Sequence, residues 1–482
     1  MHAAWARAIV GCSSTRTVGE VPAGPDIAAK GFTVRTQRFD LLVLGTGGAG
    51  SSVATACREG GMSVAIVDER PFGGTCQLRG CDPKKVLVGV SEAVDATRRL
   101  RGKGVDGKVS IRWPELMRFK RTFTDPVPDA RQESYSKAGI VALRGTARFL
   151  DSHSVDVAGQ RIEARYVHIA TGAAPVPLPI EGAEHLTTSD DFLELEQLPR
   201  TILFLGSGYI AFELAHVAVL AGAQVTMVEK SEMPLSHFDP DLVTLLAERT
   251  RLLGIELRTE TTAVALERNG HGLVLHVESG GQRSQLQAEM VVHAAGRAPN
   301  LSELDLQAAG VLADEGGILV NPFLQSVSNP VVYAAGDAAK GGLPLTPVAS
   351  LEAQVVAANL IEGNHRRVDY PPIPSVVFTQ PPLASVGLSE RAAAEQGLRV
   401  QVHHAKTGGW YSARRLGGVC AAHKVIVEEG SGRIVGAHVL GPGADELINL
   451  FVLAMRAGLT AREVKAMTFA YPTRASDLAH MM

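Results

Sequence analysis

Two glycine-rich turns, each set between apolar runs of the same pattern, constrain this chain more than any other feature. The first follows the short apolar run Asp40 to Leu44 and reads Gly45-Thr46-Gly47-Gly48-Ala49-Gly50. A helical stretch from Ser51 to Arg58 comes next, then the apolar run Val64 to Val67, which ends at Asp68. Short apolar runs of this kind are the pattern of buried parallel strands. Strand, GxGxxG turn, helix, strand and terminal acid is the order of a dinucleotide-binding unit. The glycines let the backbone approach a pyrophosphate, whose charge faces the helix N-terminus. The acid, about 20 residues on, accepts bonds from ribose hydroxyls. A lone glycine-rich turn would say little, and it is the register of strand, helix and acid that makes the pattern specific.

The pattern recurs. Thr201 to Leu205 is apolar and leads into Gly206-Ser207-Gly208-Tyr209-Ile210-Ala211-Phe212-Glu213, a helix, and the run Val225 to Val228 ending at Glu229. Between the two units lies GGTCQLRGCDPKK, Gly73 to Lys85, which carries Cys76 and Cys81. In a regular helix, residues five positions apart have Cα atoms roughly 8–9 Å apart. A disulfide wants about 5.5–6 Å. A bridge here therefore needs a distorted helical turn, for which Gly80 supplies local freedom. Such a bond would be strained and easily reduced, which suits a working disulfide. Two dinucleotides with a thiol pair between their sites predict a flavin and a nicotinamide. Hydride would pass from nicotinamide to flavin, and electrons onward to the disulfide.

The remainder of the chain sets limits. Its 482 residues leave room for two to four domains, and 45% hydrophobic and 20% charged residues with a net charge of −3 describe an ordinary globular protein. Acids and bases nearly balance and no long basic run occurs, which excludes a nucleic-acid surface. No uninterrupted apolar stretch is long enough for a bilayer, since the run Leu214 to Val228 is broken by His216, Gly222 and Gln224. Five cysteines are too few for a secreted disulfide scaffold, so a cytoplasmic home is expected. Residues 1–38, with Arg7, Arg16, Arg35 and Arg38 and no acid before Glu20, read as a disordered extension or a transit peptide. Folded sequence is expected from Phe39.

Beyond the two turns, the chain contains ATG (Ala170 to Gly172), GRAPN (Gly296 to Asn300), YAAGDAA (Tyr333 to Ala339), LTPVA (Leu345 to Ala349) and IPSVVFTQPPLASVGLSE (Ile373 to Glu390). With these motifs in order, the chain resembles the class I pyridine nucleotide-disulfide oxidoreductases. This flavoprotein family includes glutathione reductase, dihydrolipoyl dehydrogenase and mercuric reductase. The resemblance implies an α/β fold of two Rossmann-like nucleotide-binding domains and a C-terminal α+β dimerisation domain, acting as a homodimer. It divides the chain into 39–186 and 298–369 for FAD, 187–297 for NAD(P) and 370–482 for the interface.

The resemblance also implies roles. FAD would be held by Gly45, Gly47, Gly50, Asp68, Gly74, Thr75, Thr171, Gly172 and Asp337. The nicotinamide nucleotide would be held by Gly206, Gly208, Tyr209, Ile210, Glu229, Lys230, Gly296 and Arg297, with Tyr209 covering the pocket. Cys81 would touch the flavin and Cys76 would meet the substrate. Lys84 would stand near flavin N5 with Glu213 as its salt-bridge partner. A positive charge there stabilises the electron-rich reduced ring. Glu229 would repel a 2′-phosphate, and neither Lys230 nor Ser236 is the arginine expected of an NADPH enzyme, so NADH is favoured over NADPH.

The chain departs from the family at its end. Where disulfide-handling members carry His-Pro-Thr-x-x-Glu, it reads Tyr471-Pro472-Thr473-Arg474-Ala475-Ser476-Asp477. A phenol with a reference pKa near 10 is a poor base at pH 7, whereas imidazole near 6.5 is well placed. Tyr471 could instead donate a hydrogen bond or act as a gate, and Asp477 or His480 could substitute. Thr55 and Gln354 stand where glutathione-using members have arginines, a loss of charge-assisted bonds worth about 1.5–3 kcal/mol each. The terminal Ala479-His480-Met481-Met482 lacks the vicinal cysteines with which mercuric reductases deliver their metal. Cys57 and Cys420 read as small buried hydrophobes, Cys420 in a strand-like segment, and Cys12 as a free thiol. No resident metal site is expected.

The sequence thus predicts an NAD(P)H-dependent flavoprotein disulfide reductase acting on a small-molecule disulfide or oxidant. Its rivals are a flavin reductase or diaphorase reducing quinones or metal ions such as Hg(II) without dithiol interchange, and a binding protein that merely retains the cofactor.

Overall fold

The computed structural model describes residues 36–418 and 420–482. Cys12 and all but the last three residues of the expected extension lie outside them. Those last residues correct one boundary: Gln37 and Arg38 already belong to the first strand, Gln37–Leu44. Gln37 pairs in register with Ile162, and Arg38 forms an ion pair with Glu163 at 2.9 Å, so neighbours rather than hydrophobicity set where folding begins.

Three sheets organise the chain. In the first, the strands Val141–Arg144, Val64–Asp68, Gln37–Leu44 and Gln160–Ile169 lie parallel, and Val332–Ala334 joins Gln160–Ile169 from far along the chain. Leu41 to Leu44 are at most 1% exposed. The run is continuously apolar because both faces of a parallel sheet are covered. Leu41 and Val43 pack with the helix Gly48–Glu59 and its neighbour Thr346–Glu362, while Leu42 and Leu44 pack with Phe149 and Val332. Each such burial is worth roughly 1.5–3 kcal/mol.

The second sheet, also parallel, runs Ile255–Arg258, Gln224–Val228, Thr201–Leu205, Met290–His293 and Thr187–Thr188. Its helix Tyr209–Ala221 is apolar nearly all round and buried accordingly. Against it packs the long helix Cys81–Leu100. The third sheet is antiparallel, ordered Ser375–Val377, Leu383–Gly387, Ile434–Leu440, Ala422–Glu428 and Val400–Lys406, and covered by the helix Ala444–Arg456. The fold is the expected α/β architecture of two Rossmann-like sheets and a C-terminal α+β unit. Among the described residues, no helix is long and apolar enough to cross a membrane.

Candidate active site

The first glycine turn is packed backbone on backbone. Gly45 has φ +107°, and a Cβ on Gly50 would lie 2.0 Å from the Gly45 carbonyl oxygen. Thr46 ties the turn off: its N–H and Oγ1 both donate to Asp68 Oδ2, at 2.9 and 2.6 Å, and its Oγ1 accepts from the Gly73 N–H at 3.1 Å. That last bond draws the Gly73-Gly74 turn onto the first. Gly74 sits at φ +70°, where a Cβ would come within 2.4 Å of Gly47 Cα.

Several groups around this turn await a partner. The helix Gly48–Glu59 carries no side-chain cap at Gly47, which leaves its first N–H groups open to an anion. Thr171 Oγ1 is buried without a hydrogen-bond partner. Burial raises the Asp337 carboxyl, against the pull of Arg297. The Gly336-Asp337 turn lies against Ala49 and Ala349 and is fixed by Glu352, which is 1% exposed. Glu352 Oε2 accepts from the Gly336 N–H and Oε1 from the Tyr370 hydroxyl, both at 2.6 Å. Open amides, an orphaned hydroxyl and a half-buried acid suit the pyrophosphate and hydroxyls of a dinucleotide. Gly172, next to Thr171, has φ +69°, and Thr75, next to Gly74, is exposed.

The second turn repeats the device. Ser207 Oγ donates to Glu229 Oε2 at 2.6 Å, across the same interval of 22 residues that separates Thr46 from Asp68. Glu229 Oε1 accepts from Ser231 N and Oγ at 2.8 and 2.5 Å. Burial pushes the Glu229 carboxyl up, but the bonds from Ser207 and Ser231 outweigh it and hold the group below its usual range. Gly206 has φ +102°, and the helix opening at Tyr209 has no side-chain cap at Gly208. Tyr209 is half-buried, its ring edge-on to Phe238 at 5.5 Å, with Ile210 beside it in the core and Lys230 exposed. Gly296 is exposed, and Arg297 donates to the Ala173 carbonyl and lies 4.0 Å from Asp190.

The thiols stand at a break between two helices. Gly74–Arg79 ends at Gly80 (φ −145°, ψ −111°) and Cys81–Leu100 begins at once. The distorted turn required for sulfur–sulfur contact is therefore present, with both sulfurs as free thiols. Thr346, at the start of the helix Thr346–Glu362, reaches both: its Oγ1 is 3.3 Å from Cys76 Sγ and 3.5 Å from Cys81 Sγ. The hydrogen bond from Cys76 lowers the Cys81 thiol to about 6, opposed by burial and helped by Thr346 and Lys84. Cys76 is driven up by that same bond and by burial. The pair is thus polarised, with the negative charge on Cys81 and the proton on Cys76.

Lys84 Nζ lies 2.7 Å from Glu213 Oε1, which also accepts from the Phe378 N–H at 2.9 Å. The Phe378 ring is flanked by two ammonium groups, Lys84 at 4.5 Å and Lys85 at 3.7 Å from its centroid. The sequence does not single out Thr346, Phe378 or Glu352, although the first two lie in the segments Leu345 to Ala349 and Ile373 to Glu390.

Tyr471 is not brought to the sulfur pair by hydrogen bonding within the chain: it is 79% exposed and makes no hydrogen bond among the described residues. Asp477 accepts from the Ser412 hydroxyl, and His480 packs edge-on to Trp410 at 6.2 Å. Met481 and Met482 are buried in the C-terminal core. Cys57 is fully buried and pushed up to about 12. Cys420 precedes the strand Ala422–Glu428 rather than lying in it, a correction to the sequence reading. Its thiol is pushed up to about 11 by burial. Among the described residues, one trio of carboxylates, Asp239, Asp241 and Glu390, is close enough to hold a metal. The buried Lys424 ammonium fills that cage at 2.8, 2.6 and 2.7 Å.

The family described as "Pyridine nucleotide-disulphide oxidoreductase" matches residues 39–353, and its dimerisation domain matches residues 373–482. The chain belongs to this family. It is 32% identical over 451 residues to a mercuric reductase of Staphylococcus aureus, covering 92% of this chain and 82% of that one. It is equally 32% identical over 440 residues to a glutathione reductase of Burkholderia cepacia, covering 91% and 97%. A solved structure of the Cu(II) complex of the HOCl-induced flavoprotein disulfide reductase RclA from Escherichia coli superposes with TM-score 0.82 at 26% identity. That match covers 92% of this chain and 99% of the other. As a pyridine nucleotide-disulfide oxidoreductase, the protein is an enzyme of a family that depends on FAD and a pyridine nucleotide.

Proposed function

We propose that this enzyme passes the reducing equivalents of NADH through the Cys76–Cys81 pair to a small disulfide or oxidant, working as a homodimer through its dimerisation domain. The carrying observation is the polarised thiol pair, with Cys81 lowered to about 6 beside Thr346 and Lys84. FAD would supply the two-electron chemistry between the nicotinamide and the sulfur pair. Gly45, Gly47, Gly50, Asp68, Gly74, Thr75, Thr171, Gly172 and Asp337 are the residues assigned to hold it. Lys84, neutralised only in part by Glu213, keeps a positive charge beside Cys81 and stabilises its thiolate.

Toward the acceptor, the Cys76 sulfur bonds to one sulfur of R–S–S–R, and the acceptor's own S–S bond breaks, releasing one thiolate. Cys81 then attacks the Cys76 sulfur, closes the protein disulfide and releases the second thiolate. The acceptor gains two electrons and the protein pair loses two. The one proton, held at first by Cys76, leaves with the first product as its thiol, and the second product leaves as the thiolate.

Glu229 supports NADH, because an anionic carboxylate at that strand end repels a 2′-phosphate. The division into residues 39–186, 187–297, 298–369 and 370–482, and a cytoplasmic, thiol-reducing location, belong to the same reading.

A second reading is favoured by one observation: Tyr471 replaces the family's histidine base. Metal ions or quinones need no such base, and both a mercuric reductase and a Cu(II) complex stand among the similar proteins. An acceptor screen of the wild type and Cys76→Ser decides between them. Loss of disulfide turnover in the variant supports the first reading. Retention of turnover on every acceptor contradicts it.

A further inference from the structure

Among the described residues, Asp82 is the one acid that touches the sulfur pair. It occupies the second position of the helix Cys81–Leu100, and its carboxylate is exposed. The break between the two helices at Gly80 turns that position back over the preceding helix, which brings Asp82 Oδ1 to 4.0 Å from Cys76 Sγ. The cations nearby bind groups other than Asp82. Lys84 is bound to Glu213 at 2.7 Å, Lys85 lies 3.6 Å from Asp445, and Arg131 reaches this segment only to donate to Gln77 at 3.0 and 2.9 Å. Asp82 itself forms no ion pair among the described residues. An acceptor approaching Cys76 therefore meets, 4.0 Å from its sulfur, a negative charge that no ion pair among the described residues holds.

We propose that Asp82 is a charge filter at the acceptor-facing thiol, selecting neutral and cationic acceptors against anionic disulfides. The proposal rests on Cys76 being the thiol that meets the acceptor. Two unit charges about 4 Å apart in water interact strongly enough to change a rate about fivefold. The exchange itself is the same for every acceptor: the acceptor S–S bond breaks and the protein disulfide forms. Asp82 also accepts from the Cys76 thiol, an effect common to all acceptors, so the filter is read in each charged acceptor's rate relative to the neutral one.

The test uses the FAD-loaded enzyme with NADH and three synthetic disulfides: cystamine (cationic), 2-hydroxyethyl disulfide (neutral) and 5,5′-dithiobis(2-nitrobenzoate) (anionic). The variant is Asp82→Asn, which keeps shape and exposure. In the variant, kcat/KM taken relative to the neutral acceptor should rise about fivefold for the anionic acceptor and fall about fivefold for the cationic one. Raising salt should shrink the same differences in the wild type, which gives a readout free of any folding defect. Unchanged proportions among the three acceptors in Asp82→Asn, or no salt effect in the wild type, overturn the filter. Undiminished turnover of all three by Cys76→Ser overturns the thiol relay itself, and the filter with it.

Discussion

Lys84 Nζ sits 2.7 Å from Glu213 Oε1, and their side chains are only 14% and 6% exposed. One residue belongs to the thiol-bearing helix, the other to the first helix of the second nucleotide unit. The pair therefore couples the two units through charges that depend on each other. Glu213→Leu leaves a buried ammonium unpaired and strips the Phe378 N–H of its acceptor. The expected cost is about 3–5 kcal/mol, measured as a lower denaturant midpoint of the FAD-loaded protein. An unchanged midpoint would show that the pair carries no stability.

Reactivity of Cys81 follows from its neighbours. With a thiol lowered to about 6, its alkylation by iodoacetamide should reach half-maximal rate near that pH, because the thiolate is the nucleophile. Thr346→Val removes a bond that favours the thiolate, and Lys84→Met removes a favouring charge. Both should move the midpoint to higher pH and slow alkylation at pH 7. A midpoint at the ordinary thiol value in the wild type would contradict the polarised pair.

Much of this was legible in the residues themselves. The two glycine turns pointed to both parallel sheets, because each turn needs a particular backbone conformation that few other residues permit. Cys76, Gly80 and Cys81 pointed to the broken helical turn, a matter of local geometry. Thr346 was not legible as a thiol partner, since it arrives from 265 residues further along the chain than Cys81 and its hydroxyl is one among many. Phe378 was hidden for the same reason: what matters is its backbone N–H and its ring face, which only packing reveals. Asp82 was visible as an acid beside Cys81, but its approach to Cys76 depends on how Gly80 bends the chain. The first strand began at Gln37 rather than Phe39, because Ile162 and Glu163 supply partners that hydrophobicity does not show.

Cofactor retention tests the first turn. Gly50→Ala places a methyl 2.0 Å from the Gly45 carbonyl oxygen, a contact that backbone must move to relieve. The expected result is a protein with little bound FAD, read from its flavin absorbance against protein absorbance. Gly48→Ala, where a Cβ would meet nothing within 4 Å, is the control and should leave the turn undistorted. Normal flavin content in Gly50→Ala would contradict the backbone-on-backbone packing.

Nucleotide choice tests the second turn. Glu229 is held below the ordinary carboxylate range, so its charge persists through neutral pH. Glu229→Ser should improve kcat/KM for NADPH relative to NADH by about fivefold, the weight of one unit charge about 4 Å away in water. An unchanged ratio would assign the preference to other residues.

The relay through sulfur is tested most directly by counting thiols. FAD-loaded enzyme, oxidised and freed of small molecules, is treated anaerobically with NADH, quenched in denaturant and titrated for free thiol. The account predicts a gain of two thiols per protomer, from Cys76 and Cys81, and no gain in Cys76→Ser. An oxidised wild-type enzyme that takes up reducing equivalents from NADH without gaining thiols would contradict it.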